Sequence, residues 1–247
     1  MARLIDGVSY LGRHTLAIVL PSPCIVCGGD LPWTARRASC CASCWTSLPR
    51  LAAVHCRRCA APWHEGPEDF RDYVCLACAP LEDDPVAWIA AWGEYRGGLE
   101  RLLHAFKFER HDFLDAPLAS LLVERWRALE EGAFDAVVPI PIHPRRLAAR
   151  GYNQAELLAR SFCAATGLPL RSGALRKRLD TPAQSTLHRE ERAANVRRAF
   201  ASSPSAAGRS VLLVDDVCTT GATLRAAAAA LRGAGTTRVA ALVVARA

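Results

Sequence analysis

The sequence predicts an α/β fold, a mostly parallel sheet with flanking helices, preceded by a small cysteine-rich module. Short apolar runs such as Val211–Val214 and Val239–Val244 are separated by helix-prone stretches, the pattern of strands buried on both faces. Two of the predicted strands end in loops carrying prolines, arginines, carboxylates or hydroxyls, and each loop opens a helix. Of 11 cysteines, nine lie between Cys24 and Cys78, and that composition shift marks off the amino-terminal part.

At 247 residues the chain has room for one large domain or two modest ones, and a hydrophobic content of 51% indicates a packed core. The formal charge is +7, and all but two of its 31 basic side chains are arginine, the exceptions being Lys107 and Lys177. Such a skew follows genome composition, and it also favours phosphorylated ligands or nucleic acid. No apolar run approaches the roughly 18 residues that a membrane span needs. The run Leu16–Leu20 lacks a small-residue cleavage site and leads straight into cysteines, so a cytoplasmic protein with no membrane span is expected.

In chain order, Leu4–Leu20 reads as an amphipathic helix stopped by Pro21 and Pro23. Four Cys-x-x-Cys pairs follow: Cys24/Cys27, Cys41/Cys44, Cys56/Cys59 and Cys75/Cys78. Thirteen residues separate the first two pairs and fifteen the last two, the spacing of four-cysteine Zn2+ sites in which each pair supplies two thiolates. A disulfide framework is the rival, but nothing else argues for secretion, and no strand–helix context supports a redox pair. Eight thiolates hold two ions, paired sequentially or cross-braced, or one ion if a half-site has decayed. Cys40 is spare or substitutes for Cys41, and His55 and His64 are further candidate ligands of lower rank. The segment has few apolar residues, so metal binding would be part of its folding.

Pro80–Pro85 reads as an acidic linker, giving expected domains of 1–80 (amino-terminal helix plus double zinc-ribbon-like module) and 86–247. Val86–Tyr95 reads as an edge strand, with helices at Gly98–Phe108 and Leu114–Leu129. A strand from Asp135 then ends in a proline-rich loop carrying Pro141, His143, Arg145 and Arg146, and Arg150-Gly151-Tyr152-Asn153-Gln154 opens a helix that runs to Thr166. Guanidinium donors at a strand end suit a diphosphate. Residues 171–200 are strongly basic, holding Arg176, Lys177, Arg178 and Arg192, and read as a hairpin or lid that also suits a nucleic-acid backbone.

The most informative stretch runs from Val211 to Thr223. A buried strand leads to Asp215 and Asp216, then Thr219, Thr220, Gly221, Ala222 and Thr223 open a helix. A helix N-terminus with hydroxyls and a glycine cradles an anion. A carboxylate pair beside it fits a ligand carrying both a phosphate and a diol, since carboxylates accept from ribose hydroxyls.

This string resembles the phosphoribosyl-pyrophosphate (PRPP) motif of type I phosphoribosyltransferases, and the chain as a whole resembles the ComF family. The likeness is carried by the cysteine knuckles, Val138–Leu147, Arg150–Gln154, the Arg178/Thr181/Gln184/Arg192/Asn195 pattern and Asp215–Thr223. Cys40 and Tyr152 are small departures. The resemblance implies a type I phosphoribosyltransferase fold over 86–247 joined to the zinc module. It implies that Asp215 and Asp216 hold the ribose hydroxyls and that Thr219–Thr223 hold the 5′-phosphate. Pro141, His143, Arg145 and Arg146 would face the pyrophosphate with Mg2+, and Arg178 and Arg192 would assist any chemistry. It further implies a role in handling single-stranded DNA during natural transformation, with a competence helicase as partner. Two other functions remain open: a metabolic phosphoribosyltransferase acting on a base or amine, and a PRPP-sensing regulator.

Overall fold

The computed structural model describes residues 23–31, 39–65, 70, 72–129, 133–178, 199–203 and 206–247. The helix expected at Leu4–Leu20 and most of the basic segment, Arg192 included, lie outside them. The chain divides into two compact units, Met1–Leu48 and Pro49–Ala247. Among the described residues no helix is long and apolar enough to cross a membrane.

The first unit contains the first two cysteine pairs and a short helix α1 (Ala42–Thr46). The second unit is built on β1 (Ile89–Glu94), β2 (Ala136–Pro139), β5 (Ser210–Cys218) and β6 (Arg238–Arg246), all parallel in the order β1-β6-β5-β2. Its helices are α2 (Gly97–Phe108), α3 (Asp115–Arg127), α4 (Pro144–Arg150), α5 (Gln154–Thr166) and α6 (Ala222–Gly233). A two-stranded antiparallel ribbon, β3 (Leu175–Lys177) with β4 (Phe200–Ser202), stands apart from the sheet.

The two inner strands are apolar because both faces are covered. On one face α6 and the third and fourth cysteine pairs pack over Val211, Leu213, Val239, Ala241 and Val243. The helices α3 and α5 pack on one another and on the sheet. Side chains alternate along a strand, so Leu212, Ala240 and Leu242 serve the opposite face. The edges are blunted. Leu51 N–H donates to Trp92 C=O and Glu94 N–H to Pro49 C=O along β1, while Arg171 N–H donates to Val137 C=O along β2. Pro139 stands at the end of an edge strand, where a missing N–H is tolerated.

Several elements differ from the sequence reading. The β5 strand continues through Asp215, Asp216, Val217 and Cys218 rather than stopping at Val214, since its pairing with β6 runs to Cys218↔Arg246. The segment carrying Arg145 and Arg146 is a helix, not a loop. His143 accepts from Arg145 N–H as N-cap, Pro144 follows at the first helical position, and Gly151 ends the helix at φ 87°. The third and fourth cysteine pairs fold within the same compact unit as the sheet, and the Pro80–Pro85 segment is anchored: Asp84 has a side chain only 3% exposed and pairs with Arg225.

Gly93 shows how closely the β1 edge is covered. A Cβ there would lie 2.3 Å from Pro49 O and 2.9 Å from a Leu99 methyl. Gly93→Ala is expected to cost about 1–3 kcal/mol, the usual penalty for overfilling a packed site, read as a lower midpoint in urea unfolding.

Candidate functional site

The carboxyl end of β5 carries the carboxylate pair. Asp215 is half-buried and Asp216 buried. Each accepts the backbone N–H of the following residue, Asp216 N–H to Asp215 at 2.9 Å and Val217 N–H to Asp216 at 2.7 Å. Burial first, and then repulsion from Asp216, push the Asp215 carboxyl up to about 8. The loop beyond turns at Gly221, φ 78°, into α6. Thr219, Thr220, Ala222 and Thr223 are exposed, and Thr220 Oγ1 accepts the Ala222 N–H. The first-turn N–H groups of α6 have no carbonyl within the helix to meet, so together with the hydroxyls they form an anion-receptive rim beside the two acceptor carboxylates.

The second predicted stretch reaches the same edge of the sheet. Parallel pairing sets Pro139 against Val214, and Ile140 N–H donates to Val214 C=O at 3.0 Å. The chain thus leaves β2 at a point adjoining Asp215 and runs on through the half-buried Pro141 and His143, and Arg145 and Arg146 follow, exposed, in the first turn of α4. Arg178, also exposed, sits at the foot of the β3–β4 ribbon, its N–H donating to Ala199 C=O. Arg192 is outside the described residues.

One residue of this site was missed in the sequence. Lys107, at the end of α2, places Nζ 3.1 Å from Asp216 with its side chain 20% exposed. The Arg150–Gln154 string holds it there: Tyr152 O–H donates to Phe106 C=O at 2.5 Å, Gln154 to Lys107 C=O at 3.4 Å, and Arg150 donates to Gln154 and lies over the Phe108 ring. Asn153 donates to Ile140 C=O, joining the same string to the β2 end. These residues brace the C-terminus of α2. The available signal was composition, for Lys107 is one of only two lysines in an arginine-rich chain.

The eight knuckle cysteines form two tetrads, Cys24/Cys27/Cys41/Cys44 and Cys56/Cys59/Cys75/Cys78, with the sulfur atoms of each within 4.8 Å of one another. Pairing is thus sequential, not cross-braced. The tetrads repeat one design. Gly28 N–H donates to Cys24 C=O and Ala60 N–H to Cys56 C=O; Cys41 N–H donates to Cys24 Sγ and Cys75 N–H to Cys56 Sγ. Gly28 and Ala60 both take left-handed backbone, φ 74° and 55°. Four thiols so close cannot all ionise alone: hydrogen bonding to Cys59 draws the Cys56 thiol down, and the same bond pushes Cys59 up. A divalent cation removes that conflict, so the donor set fits Zn2+. Cys40 stays outside, a buried thiol pushed up to about 12 by burial and donating to Cys41 C=O. His55 and His64 are not ligands: His55 meets Ala52 C=O, and His64 faces Glu94.

Comparison with known proteins agrees with this geometry. Residues 131–247 match the phosphoribosyl transferase domain and residues 15–79 the double zinc ribbon domain. Competence protein F of Haemophilus influenzae is 33% identical over 150 residues, 58% of this chain and 66% of that protein. Competence protein ComFC of Streptococcus pneumoniae is 31% identical over 141 residues, 57% of this chain and 60% of that protein. DNA utilization protein YhgH of Salmonella typhi is 26% identical over 230 residues, 90% of this chain and 96% of that protein.

The chain belongs to the ComF family. It joins a type I phosphoribosyltransferase domain, a parallel sheet with helices, to a double zinc ribbon. The alignments with the two competence proteins span just under two thirds of those relatives' lengths. Among solved structures, the glutamine PRPP amidotransferase of B. subtilis overlays 52% of this ComF-family chain and 25% of its own at a TM-score of 0.37 and 23% identity, a likeness too partial to add to the domain match.

Two outcomes are expected. Elemental analysis should find two zinc ions per chain, one for each tetrad, and Cys56→Ser should reduce the content to one; a single ion in the unaltered protein would mean that one tetrad is vestigial. Asp215→Asn should stabilise the ligand-free protein. With its folded value raised from 3.8 to about 8, Asp215 contributes stability that is full below the lower value and lost as pH rises through the higher one. The advantage of the Asn variant should therefore be small near pH 4, grow up to about pH 8 and level off above, reaching about 1–3 kcal/mol for relief of a poorly paired buried group. Thermal unfolding of both proteins across pH reads it.

Proposed function

We propose that this ComF-family chain binds PRPP, or a closely related phosphorylated ribose, together with Mg2+, and that it serves DNA use in natural transformation. The supporting observation is convergence: the carboxylate pair and the N-terminus of α6 at the end of β5 adjoin the segment leaving β2, through Ile140 N–H to Val214 C=O. Donors for a phosphate, acceptors for a diol and guanidinium groups for a diphosphate thus share one sheet edge.

In this reading Thr219, Thr220, Gly221, Ala222 and Thr223 take the 5′-phosphate, and Asp215 and Asp216 accept from the ribose hydroxyls. Pro141, His143, Arg145 and Arg146 face the diphosphate, whose oxygens Mg2+ bridges while keeping several waters. Lys107, paired with Asp216 at 3.1 Å, adds a cation near the ligand. Arg178, at the foot of the β3–β4 ribbon, and Arg192, in the basic stretch of the sequence, bring further positive charge. The DNA role draws support from the printed names of the relatives, two competence proteins and a DNA utilization protein. Arg176, Lys177 and Arg178 supply cations for a single-stranded DNA backbone.

Calorimetry with PRPP and Mg2+ above about pH 8, where Asp215 is ionised, tests the pocket. Binding is expected, with Asp215→Asn weaker by about 1.5–3 kcal/mol, the worth of hydrogen bonds to a charged group. No heat from the unaltered protein, or equal affinity in the variant, would defeat the reading. Neutralising Arg176, Lys177 and Arg178 together should weaken single-stranded DNA binding and flatten its salt dependence. Pyrophosphate release with added bases or amines would instead mark a metabolic transferase.

A further inference from the structure

We propose that Arg225 is a positioning residue that ties the shape of the Thr219–Thr223 loop to the Cys56/Cys59/Cys75/Cys78 tetrad, so that the phosphoribose site is fully formed only when that tetrad holds its metal. The proposal rests on the phosphoribose reading of the loop.

Arg225 lies one turn into α6, and its guanidinium spends its donors on three separate segments. Nε donates to Asp84 at 2.9 Å, Nη1 to Thr220 C=O at 2.9 Å and Nη2 to Cys78 Sγ at 3.5 Å. The side chain is 21% exposed and Asp84 is 3% exposed, so these contacts are largely out of water. A planar fork with fixed donor directions meets three acceptors only if all three are in place. The loop is shaped around it: a Cβ on Gly221 would stand 2.7 Å from Arg225 Nη1. The glycine is therefore needed for its left-handed backbone and for leaving space to the guanidinium.

The tetrad end of this link is strongly electrostatic. Four thiolates over-neutralise a divalent cation, so a loaded tetrad is a negative group that attracts donors to its sulfurs. Cationic side chains gather about it: Arg58 donates to Cys78 C=O at 2.8 Å and lies 3.9 Å from Asp84, and Arg246 donates to Cys59 C=O at 3.0 Å and to Cys218 C=O at the end of β5. Loss of the metal releases the Cys78 sulfur from the position in which the tetrad holds it, so the acceptor that Nη2 meets at 3.5 Å is no longer fixed. Arg225 is then held by Asp84 alone on that side, and its grip on Thr220 C=O loosens.

The test compares the unaltered protein with Arg225→Met, each before and after chelation, by two readouts. One is PRPP affinity. The other is hydrogen exchange of the amides at Ala222, Thr223 and Leu224, which needs no ligand. Chelation of the unaltered protein should lower PRPP affinity about 10–100-fold, within the usual range of coupling between two sites, and should speed exchange at those amides. Arg225→Met should show both changes at the outset and no further change on chelation. Should the Met variant fail to fold, Arg225→Lys keeps the ion pair to Asp84 but cannot reach all three acceptors, and should show the same loss of response. Unchanged exchange at the three amides on chelation, or an equal chelation response in the Arg225 variants, overturns the proposal. Coupled exchange without PRPP binding would remove the phosphoribose reading and leave the link standing; PRPP binding without coupled exchange would do the reverse.

Discussion

Two carboxylates side by side at the end of a buried strand repel each other and resist leaving water, and much of the site is arranged around that cost. Asp215 answers by holding its proton up to about 8; Asp216 is met by Lys107. Lys107 is useful only if the end of α2 is fixed, and that is the work of Tyr152, Gln154 and Arg150. A string that reads as the start of the next helix thus turns out to aim one ammonium group. On the proposed reading the cost left on Asp215 is held in reserve, since a ligand offering hydroxyl protons and a divalent cation would relieve it.

The metal clusters solve a different problem. The cysteine segments carry few apolar side chains, and four thiols held within 4.8 Å are mutually hostile until a cation joins them. In the second unit the cluster does more than close a loop: Cys56, Cys59 and Cys78 belong to the same apolar core as Leu213, Leu224 and Val243. A metal-bound ribbon therefore covers part of the sheet face that a helix covers elsewhere. The repeat of one knuckle at Gly28 and Ala60 shows a backbone shape maintained even where alanine must take left-handed φ.

What the sequence disclosed and what it withheld follow the range of the interactions. Buried strands, helical periodicity and Cys-x-x-Cys spacing are local patterns, so the parallel sheet, α2, α3, α5 and the eight knuckle cysteines can be read directly, whereas the sequential grouping into two tetrads is a matter of tertiary structure. The domain matches bear out the fold and the zinc ribbon. The β5 strand was read too short because charged residues look like a strand end, whereas its hydrogen bonding to β6 continues past them. Helix α4 reads as a loop because Pro139, Pro141 and Pro144 crowd its approach and first position, although His143-Pro144 is a sound N-cap and first position. Lys107 with Asp216 and Arg225 with Asp84 join residues far apart in the chain. Nothing in the local pattern of either partner announces the other.

These long-range pairs also account for why a segment resembling a linker is so firmly held. Asp84 is acidic and proline-flanked, which in sequence suggests a solvated hinge, yet its carboxylate is 3% exposed and faces Arg225, with Arg58 beyond at 3.9 Å. A buried carboxylate without such partners would be strongly destabilising, so its burial depends on the two guanidinium groups that face it. Arg58 comes from the cysteine ribbon and Arg225 from the helix that follows the phosphate-type loop. The one anion they share fixes the ribbon and that helix with respect to each other. A flexible connection at this point would leave the loop's carbonyl at Thr220 without its donor, and the shape of the N-terminus of α6 would no longer be set by the rest of the fold.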